Sequence, residues 1–486
     1  MPRSQTDTPF GPAPLAVFVI LLAAGGGLLV THASAGLSLG AALLFAVIFV
    51  SFLNAELGLH IILLSMLLSP EIVVGGAGGI SIGKPSFKGD LLVLRVEDLI
   101  LTAVTAAWLA RTALYKELGL IRRTPLNAAI FAYVASLILA TLFGVFFGNV
   151  RPLRGFFFVL KYIEYFVVFF ITVNQIRDRR QLHRLLTTAF VACAVASLMG
   201  IAQIPSGERV SAPFEGKFGE PNTFGGYLVF MLAIILGLAL AANSLPTRIG
   251  WFAFAGLTTI PLLFTLSRSS WLAAVPMLLT LILLSRRRLL LIIPLAVAVA
   301  FAPILLPEAV IKRYRYTLQD KVDRGEYRLG GARFDTSTSA RFDSFVQGFK
   351  GWTKQPFLGY GVTGFAFMDA QYVRVLVEAG LVGFCAFLWL LWRMLQMAWD
   401  TYKRTSTTPY GGLALGYFAG LIAMLVHAVG ANTFIIVRIM EPFWFLTGIV
   451  VTLGAADFLP ALPPKTPVRT MPPVFPSPIG SNPETL

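Results

Sequence analysis

The chain has 486 residues, of which 56% are apolar and only 13% charged, and its mean hydropathy is +0.76. A soluble domain carries roughly a quarter charged residues, so a soluble enzyme, a secreted disulfide scaffold and a disordered chain are excluded. The net charge of +15, from 39 Lys and Arg against 24 Asp and Glu, fits basic loops between membrane spans better than nucleic-acid binding.

In chain order, apolar windows long enough to cross a bilayer fall near 14–33, 36–54, 57–74, 95–114, 126–147, 154–175, 184–204, 223–243, 249–266, 270–285, 289–306, 372–397, 411–430 and 435–457. The third and tenth are short, so the sequence predicts an all-α polytopic membrane bundle of about 12–14 helices. The first window, from Leu15, reads as an uncleaved helix because further spans follow. Cys193 and Cys385 lie inside apolar windows and read as packing residues, and His32, His60 and His183 have no ligand-like spacing.

Basic residues sign the connections. Arg122 and Arg123, then Arg177, Arg179, Arg180 and Arg184, then Arg286, Arg287 and Arg288, then Arg393, Lys403 and Arg404 fall on one side if there are fourteen helices and the N-terminus is cytoplasmic. The expected layout is a cytoplasmic N-terminus at 1–13, eleven helices within 14–306, a periplasmic loop at 307–371, three helices within 372–458, and a proline-rich, disordered cytoplasmic tail at 459–486. Within the loop, Phe342, Phe345, Val346, Phe349 and Trp352 repeat at helical spacing. They predict an amphipathic helix over 339–354, lying on the membrane surface or over the bundle. Gly359-Tyr-Gly361-Val-Thr-Gly364 matches a dinucleotide-binding string, but no strand precedes it, so it reads as a loop turn.

A charge at the bilayer centre costs about 2.5–3.5 kcal/mol even on mild scales, so polar residues near the spans need a reason. Arg151, Arg154, Lys161 and Glu164, Glu220-Pro221-Asn222, Ser267-Arg268-Ser269-Ser270, Asp369, Gln371, Tyr372, Arg374, Glu378, His427, Asn432, Arg438 and Glu441 all map to the outer halves of their helices. Singly, each could be an interfacial anchor or a buried ion pair, and Lys161 with Glu164 reads as such a pair. Together they point to an anion site for a ligand with an apolar tail and an anionic head, the shape of a polyprenyl pyrophosphate.

The stretch Arg341…Trp352…Pro356-Phe-Leu-Gly359-Tyr-Gly361, followed by Asp369-Ala-Gln-Tyr372 and Glu378-Ala-Gly380-Leu-Val-Gly383, resembles the signature of the O-antigen ligase/polymerase superfamily. Glu220-Pro221-Asn222 and Ser267-Arg268 resemble its two upstream motifs, and the resemblance covers about residues 150–450. It implies a bacterial inner-membrane glycosyltransferase using an undecaprenyl-pyrophosphate-linked glycan as donor and acceptor. The active site would face the periplasm, no metal or other cofactor would be needed, and a flippase and a chain-length regulator would be partners. The ligase branch carries a histidine three residues before the Tyr372 position. Asp369 stands there instead, which resembles polymerases of O-antigen or exopolysaccharide.

The expected roles follow. Arg268 and Arg341, supported by Arg154 and Arg438, would grip the leaving pyrophosphate. Asp369, or second Glu378, would accept the proton of the attacking hydroxyl. Glu220, Asn222, Gln371, Tyr372 and His427 would hold sugar hydroxyls. The loop helix would cover the site, with Gly359 and Gly361 letting it move. The alternatives are a ligase of the same superfamily, or a transporter or flippase of lipid-linked sugars. The one-sided gathering of polar residues argues against the transporter.

Overall fold

The computed structural model describes residues 35–68, 92–114, 121–213, 219–301, 336–366 and 368–455, with short pieces at 71–74, 80–82, 308, 310–311, 328–329 and 332–333. The expected helix at 14–33 and the tail from 459 lie outside the described residues.

The protein is an all-α polytopic membrane bundle. Its helices are α1 (Ala35–Leu53), α2 (Ala55–Leu68), α3 (Val96–Leu114), α4 (Asn127–Phe146), α5 (Pro152–Gln175), α6 (Arg179–Gln203), α7 (Pro221–Ala241), α8 (Leu245–Phe264), α9 (Arg268–Leu284) and α10 (Leu289–Ala300), then α11 (Thr336–Trp352), α12 (Gln371–Thr405), α13 (Gly411–His427) and α14 (Val437–Gly454). Seven of them are long and apolar enough to cross a membrane. Large apolar side chains such as Leu142, Phe146, Leu153, Leu283 and Val299 are exposed on the outer surface, as a lipid-facing shell requires.

The window expected at 57–74 is not one helix. Helix α2 ends at Leu68, before Ser69-Pro70 in the sequence, and proline disfavours helix at the residue before it. The β-branched run Glu71–Val74 instead forms β1, antiparallel to β2 (Ile80–Ile82) and β3 (Leu92–Arg95), in the order β2-β1-β3. A second small ladder pairs β4 (Arg328–Leu329) with β5 (Ala332–Arg333). Helix α6 begins earlier than its apolar window, because Asp178 caps it by accepting from Gln181 N at 2.7 Å.

Helices α7 and α14 are buried almost throughout and form the centre. Trp444 of α14 meets Phe166 and Phe169 of α5 edge-on at 4.7 and 5.6 Å. Helix α7 lies flush on α13 along Gly412, Gly416 and Gly420. A Cβ on Gly237 would stand 2.3 Å from the Gly412 carbonyl oxygen, so only small residues permit this approach.

Helix α12 is broken at Gly380, whose φ of 63° and ψ of −167° are not helical. The turn at 356–361 fills the break. Tyr360 N and Gly361 N donate to the carbonyls of Val377 and Glu378, while Leu381 N and Val382 N donate to those of Pro356 and Phe357. The backbone groups freed by the break are thus satisfied by protein, as an apolar medium demands. A Cβ on Gly359 would lie 2.4 Å from the Val377 oxygen, and one on Gly361 2.8 Å from Val150. These glycines therefore permit the close packing of the turn against α4 and the break in α12.

The four basic clusters share one end of the bundle. Arg122, Arg123, Arg393 and Arg404 line one cavity there. Arg287 donates to the carbonyls of Leu240 and Ala242, Tyr402 Oη donates to Leu284 O at 3.0 Å, and the His183 ring lies against Tyr410.

Candidate active site

At the opposite end, α7, α9 and α12 all begin, and α13 ends. Their first turns are tied together by short polar side chains. Ser267, the N-cap of α9, accepts from Ser270 N and donates to Asn222 Oδ1 at 2.8 Å. Ser270 Oγ donates to Ser267 Oγ at 2.9 Å and shares a hydrogen bond of 3.2 Å with His427 Nε2. The other ring nitrogen, Nδ1, shares one of 2.7 Å with Thr433 Oγ1. Ser269 Oγ donates to Gly430 O at 3.2 Å. The connection from α13 to α14 is pinned on its other side by α12. Gln371 N donates to Ala428 O, Gln371 Oε1 accepts from Phe434 N, and Tyr372 Oη donates to Leu425 O.

Over this frame lies Arg341 of α11. Its Nη2 stands 4.0 Å from Asp369 Oδ2, and its Cζ would be 3.9 Å from a Cβ placed on Gly430. Gly430 is also the residue bonded by Ser269, whose neighbour Arg268 opens α9, half-buried. Arg341 thus lies beside the start of α9, which Arg268 opens and where the helix dipole favours an anion. Helix α11 seats Phe345 and Trp352 on Met368, Val373 and Val377, and leaves Phe342, Val346 and Phe349 exposed. It rests one apolar edge on the bundle and turns another outward.

Burial raises the Asp369 carboxyl above its ordinary range, opposed by the positive charges of Arg341 and Arg374. A carboxylate raised in this way is a better proton acceptor than one in water.

The other expected site residues separate into those that face the site and those that hold it. Glu220 is exposed at the rim, as the N-cap of α7. Asn222 is engaged by Ser267. Gln371 and His427 are fully buried, and the His427 ring has both nitrogens bonded, so none is left for a glycan. Glu378 is buried too. Its Oε1 accepts from Arg374 Nε at 3.2 Å and from Thr363 N at 3.1 Å, so it props the turn beside the helix break.

Two arginines are not gathered with Arg341. Arg154 is exposed at the start of α5, with its guanidinium 5.9 Å over the Phe158 ring. Arg438 is wholly buried, donating to Pro213 O at 3.2 Å and lying 4.0 Å from Glu97. Glu97 in turn lies near Glu441, so these three groups form a second polar cluster. Lys161 pairs with Glu164 at 3.3 Å, as the sequence suggests, and also with Asp98.

Sequence reasoning overlooked Arg209. Its Nε donates to Thr265 O at 3.0 Å and its Nη2 to Leu266 O at 3.3 Å. Leu266 has φ of 50°, a conformation that L side chains rarely adopt, and it directly precedes Ser267-Arg268. The signal was available, as an arginine in a short polar segment at the outer end of a span. Among the described residues, no group of three or more His, Cys, Asp and Glu could hold a metal ion.

Residues 252–388, under a third of the chain, match the profile of a family described as O-antigen ligase. Over that segment the chain is similar to the O-antigen ligase family. The matched segment runs from α8 past the break in α12, and so contains Arg268, Arg341, Asp369 and Glu378. No curated protein matches the chain.

Proposed function

We propose that the protein polymerises undecaprenyl-pyrophosphate-linked oligosaccharide repeats into O-antigen or exopolysaccharide. The observation that carries this reading is the Arg341–Asp369 pair, 4.0 Å apart, seated over the first turn of α9. A hydroxyl of the acceptor glycan attacks the anomeric carbon of the donor. Asp369 takes its proton, and the bond between that carbon and the phosphate oxygen breaks with its electron pair going to pyrophosphate. Arg268, Arg341 and the α9 N-terminus stabilise the charge gained by the leaving group. Helix α11 covers the centre and limits access of water, which would hydrolyse the donor. No metal is needed for this sequence of steps.

The basic clusters at the far end of the bundle favour a cytoplasmic assignment for that end, and so a periplasmic site in the inner membrane. A flippase supplying the lipid-linked repeat and a chain-length regulator are the partners this reaction calls for. Asp369 in place of the ligase-branch histidine supports polymerase over ligase, while the description of the matching family favours the ligase alternative. Glycans of a strain carrying Asp369→Asn decide between them. Accumulated single repeats are expected of a polymerase. Long chains left on the carrier lipid would mean a ligase, and unaltered glycan would remove Asp369 from the mechanism.

A further inference from the structure

The basic end of the bundle holds a cavity of about 560 Å³ between the segment leading into α4, the second half of α12 and the C-terminal end of α14. Four arginines line it: Arg122, Arg123, Arg393 and Arg404. Two are fixed by the fold. Arg393 donates to Pro125 O through Nε and Nη2 at 3.3 and 3.1 Å, and Arg404 Nη1 donates to Gly454 O at 2.9 Å. Arg122 and Arg123 are exposed, and their guanidiniums make no hydrogen bond or ion pair among the described residues. The one acid in the wall, Asp400, is paired with Lys403 at 3.1 Å. The wall also carries Trp399, which is partly exposed, as aromatic residues at a membrane boundary are.

A basic loop alone would follow from topology. A concave site in which two anchored and two unengaged guanidiniums converge beside an aromatic wall asks for more. We propose that this cavity binds a phosphate-bearing anion, the headgroup of an anionic phospholipid in the adjoining leaflet. The guanidinium fork suits phosphate oxygens, and basic pockets between helix ends on this kind of face bind such headgroups. The site lies at the opposite end from Arg341 and Asp369, so it stands whether or not the proposed reaction is correct.

The test is thermal unfolding of the full chain in detergent, titrated separately with phosphatidylglycerol, phosphatidylcholine and inorganic phosphate. Phosphatidylglycerol is expected to raise the midpoint and phosphatidylcholine is not. The double variant R122A/R123A should need about 30-fold more phosphatidylglycerol for the same shift. R286A/R288A, which removes two charges at the same end but outside the cavity, should respond as the wild type does. If R122A/R123A does not insert, R123Q is read in the same way, with about a fivefold loss. Protection by inorganic phosphate that is lost in R122A/R123A would keep the anion site and make its ligand soluble phosphate. The proposal is overturned if no anion protects, if R122A/R123A responds as the wild type does, or if R286A/R288A loses as much.

Discussion

Arg341→Gln tests the candidate site through two independent readouts. The guanidinium lies 4.0 Å from Asp369. Two unit charges at that separation interact by about 4 kcal/mol at an effective dielectric of 20 and by about 1 kcal/mol in water. The Asp369 side chain is 43% exposed and that of Arg341 19%, so the lower part of that range applies, near 1–2 kcal/mol. This corresponds to about one pH unit. Arg341 favours the carboxylate, and burial already pushes the Asp369 carboxyl upward. Removing the cation must push it further in the same direction. The base form of Asp369 is populated above its pKa, so the acid limb of the rate profile should move to higher pH by about one unit. On the plateau the rate should also fall by about 10²–10³-fold, the usual loss when one stabilising group at a developing charge is removed. The assay is chain growth from a purified lipid-linked repeat by protein in nanodiscs, followed from acid to neutral pH beside Asp369→Asn. A slower variant with an unmoved limb would separate Arg341 from Asp369. Wild-type rates in Asp369→Asn would remove the base altogether.

Arg209→Ala should lower kcat about tenfold by releasing the Thr265 and Leu266 carbonyls, since a misaimed group can cost that much or more. Arg209→Lys should restore part of it, and equal kcat in all three proteins would show that the turn aims Arg268 unaided. Gly380→Ala would place a Cβ 2.2 Å from Phe357 O at a φ of 63°, and should cost at least about 3 kcal/mol of stability. An unchanged melting temperature in detergent would contradict the inserted turn. Among the described residues, both carboxylate oxygens of Glu441 are buried without a hydrogen-bond partner, whereas Arg438 lies against Glu97. Glu441→Gln should therefore keep or raise thermal stability while Arg438→Ala loses about 3–5 kcal/mol. The opposite order would refute that account of the cluster.

What could be read from the chain follows from what a bilayer imposes. Spans announce themselves by length and apolarity, so α4, α5, α7, α9, α13 and α14 begin and end close to their windows. Amphipathic spacing similarly finds α11 from Phe345 and Trp352. Arg341 and Asp369 could be named because a charge beside a span is expensive and draws attention wherever it occurs. The same reasoning gathered Arg154 and Arg438 into the site. Depth along a helix is visible in sequence, but the direction a side chain takes around the helix axis is set by packing. Arg154 and Arg341 lie at one end, yet one is exposed over Phe158 and the other lies over Gly430.

The residues that shape the site were hidden for a different reason. Gly380 sits inside an apolar window that reads as one uninterrupted helix, and an isolated glycine there suggests nothing more than a weak propensity cost. Its φ becomes intelligible only when the Pro356–Gly361 turn, about twenty residues earlier, is brought alongside to supply the missing partners for four backbone groups. The break orients the first part of α12, and with it Asp369 just before its N-terminus. Glu378 then acquires its role from the break, bonding Thr363 and Arg374. A carboxylate chosen from sequence as a second candidate base instead braces the turn beside the break. If so, Glu378→Gln should lower activity while leaving the acid limb set by Asp369 in place, and a lost limb in that variant would return the base to Glu378.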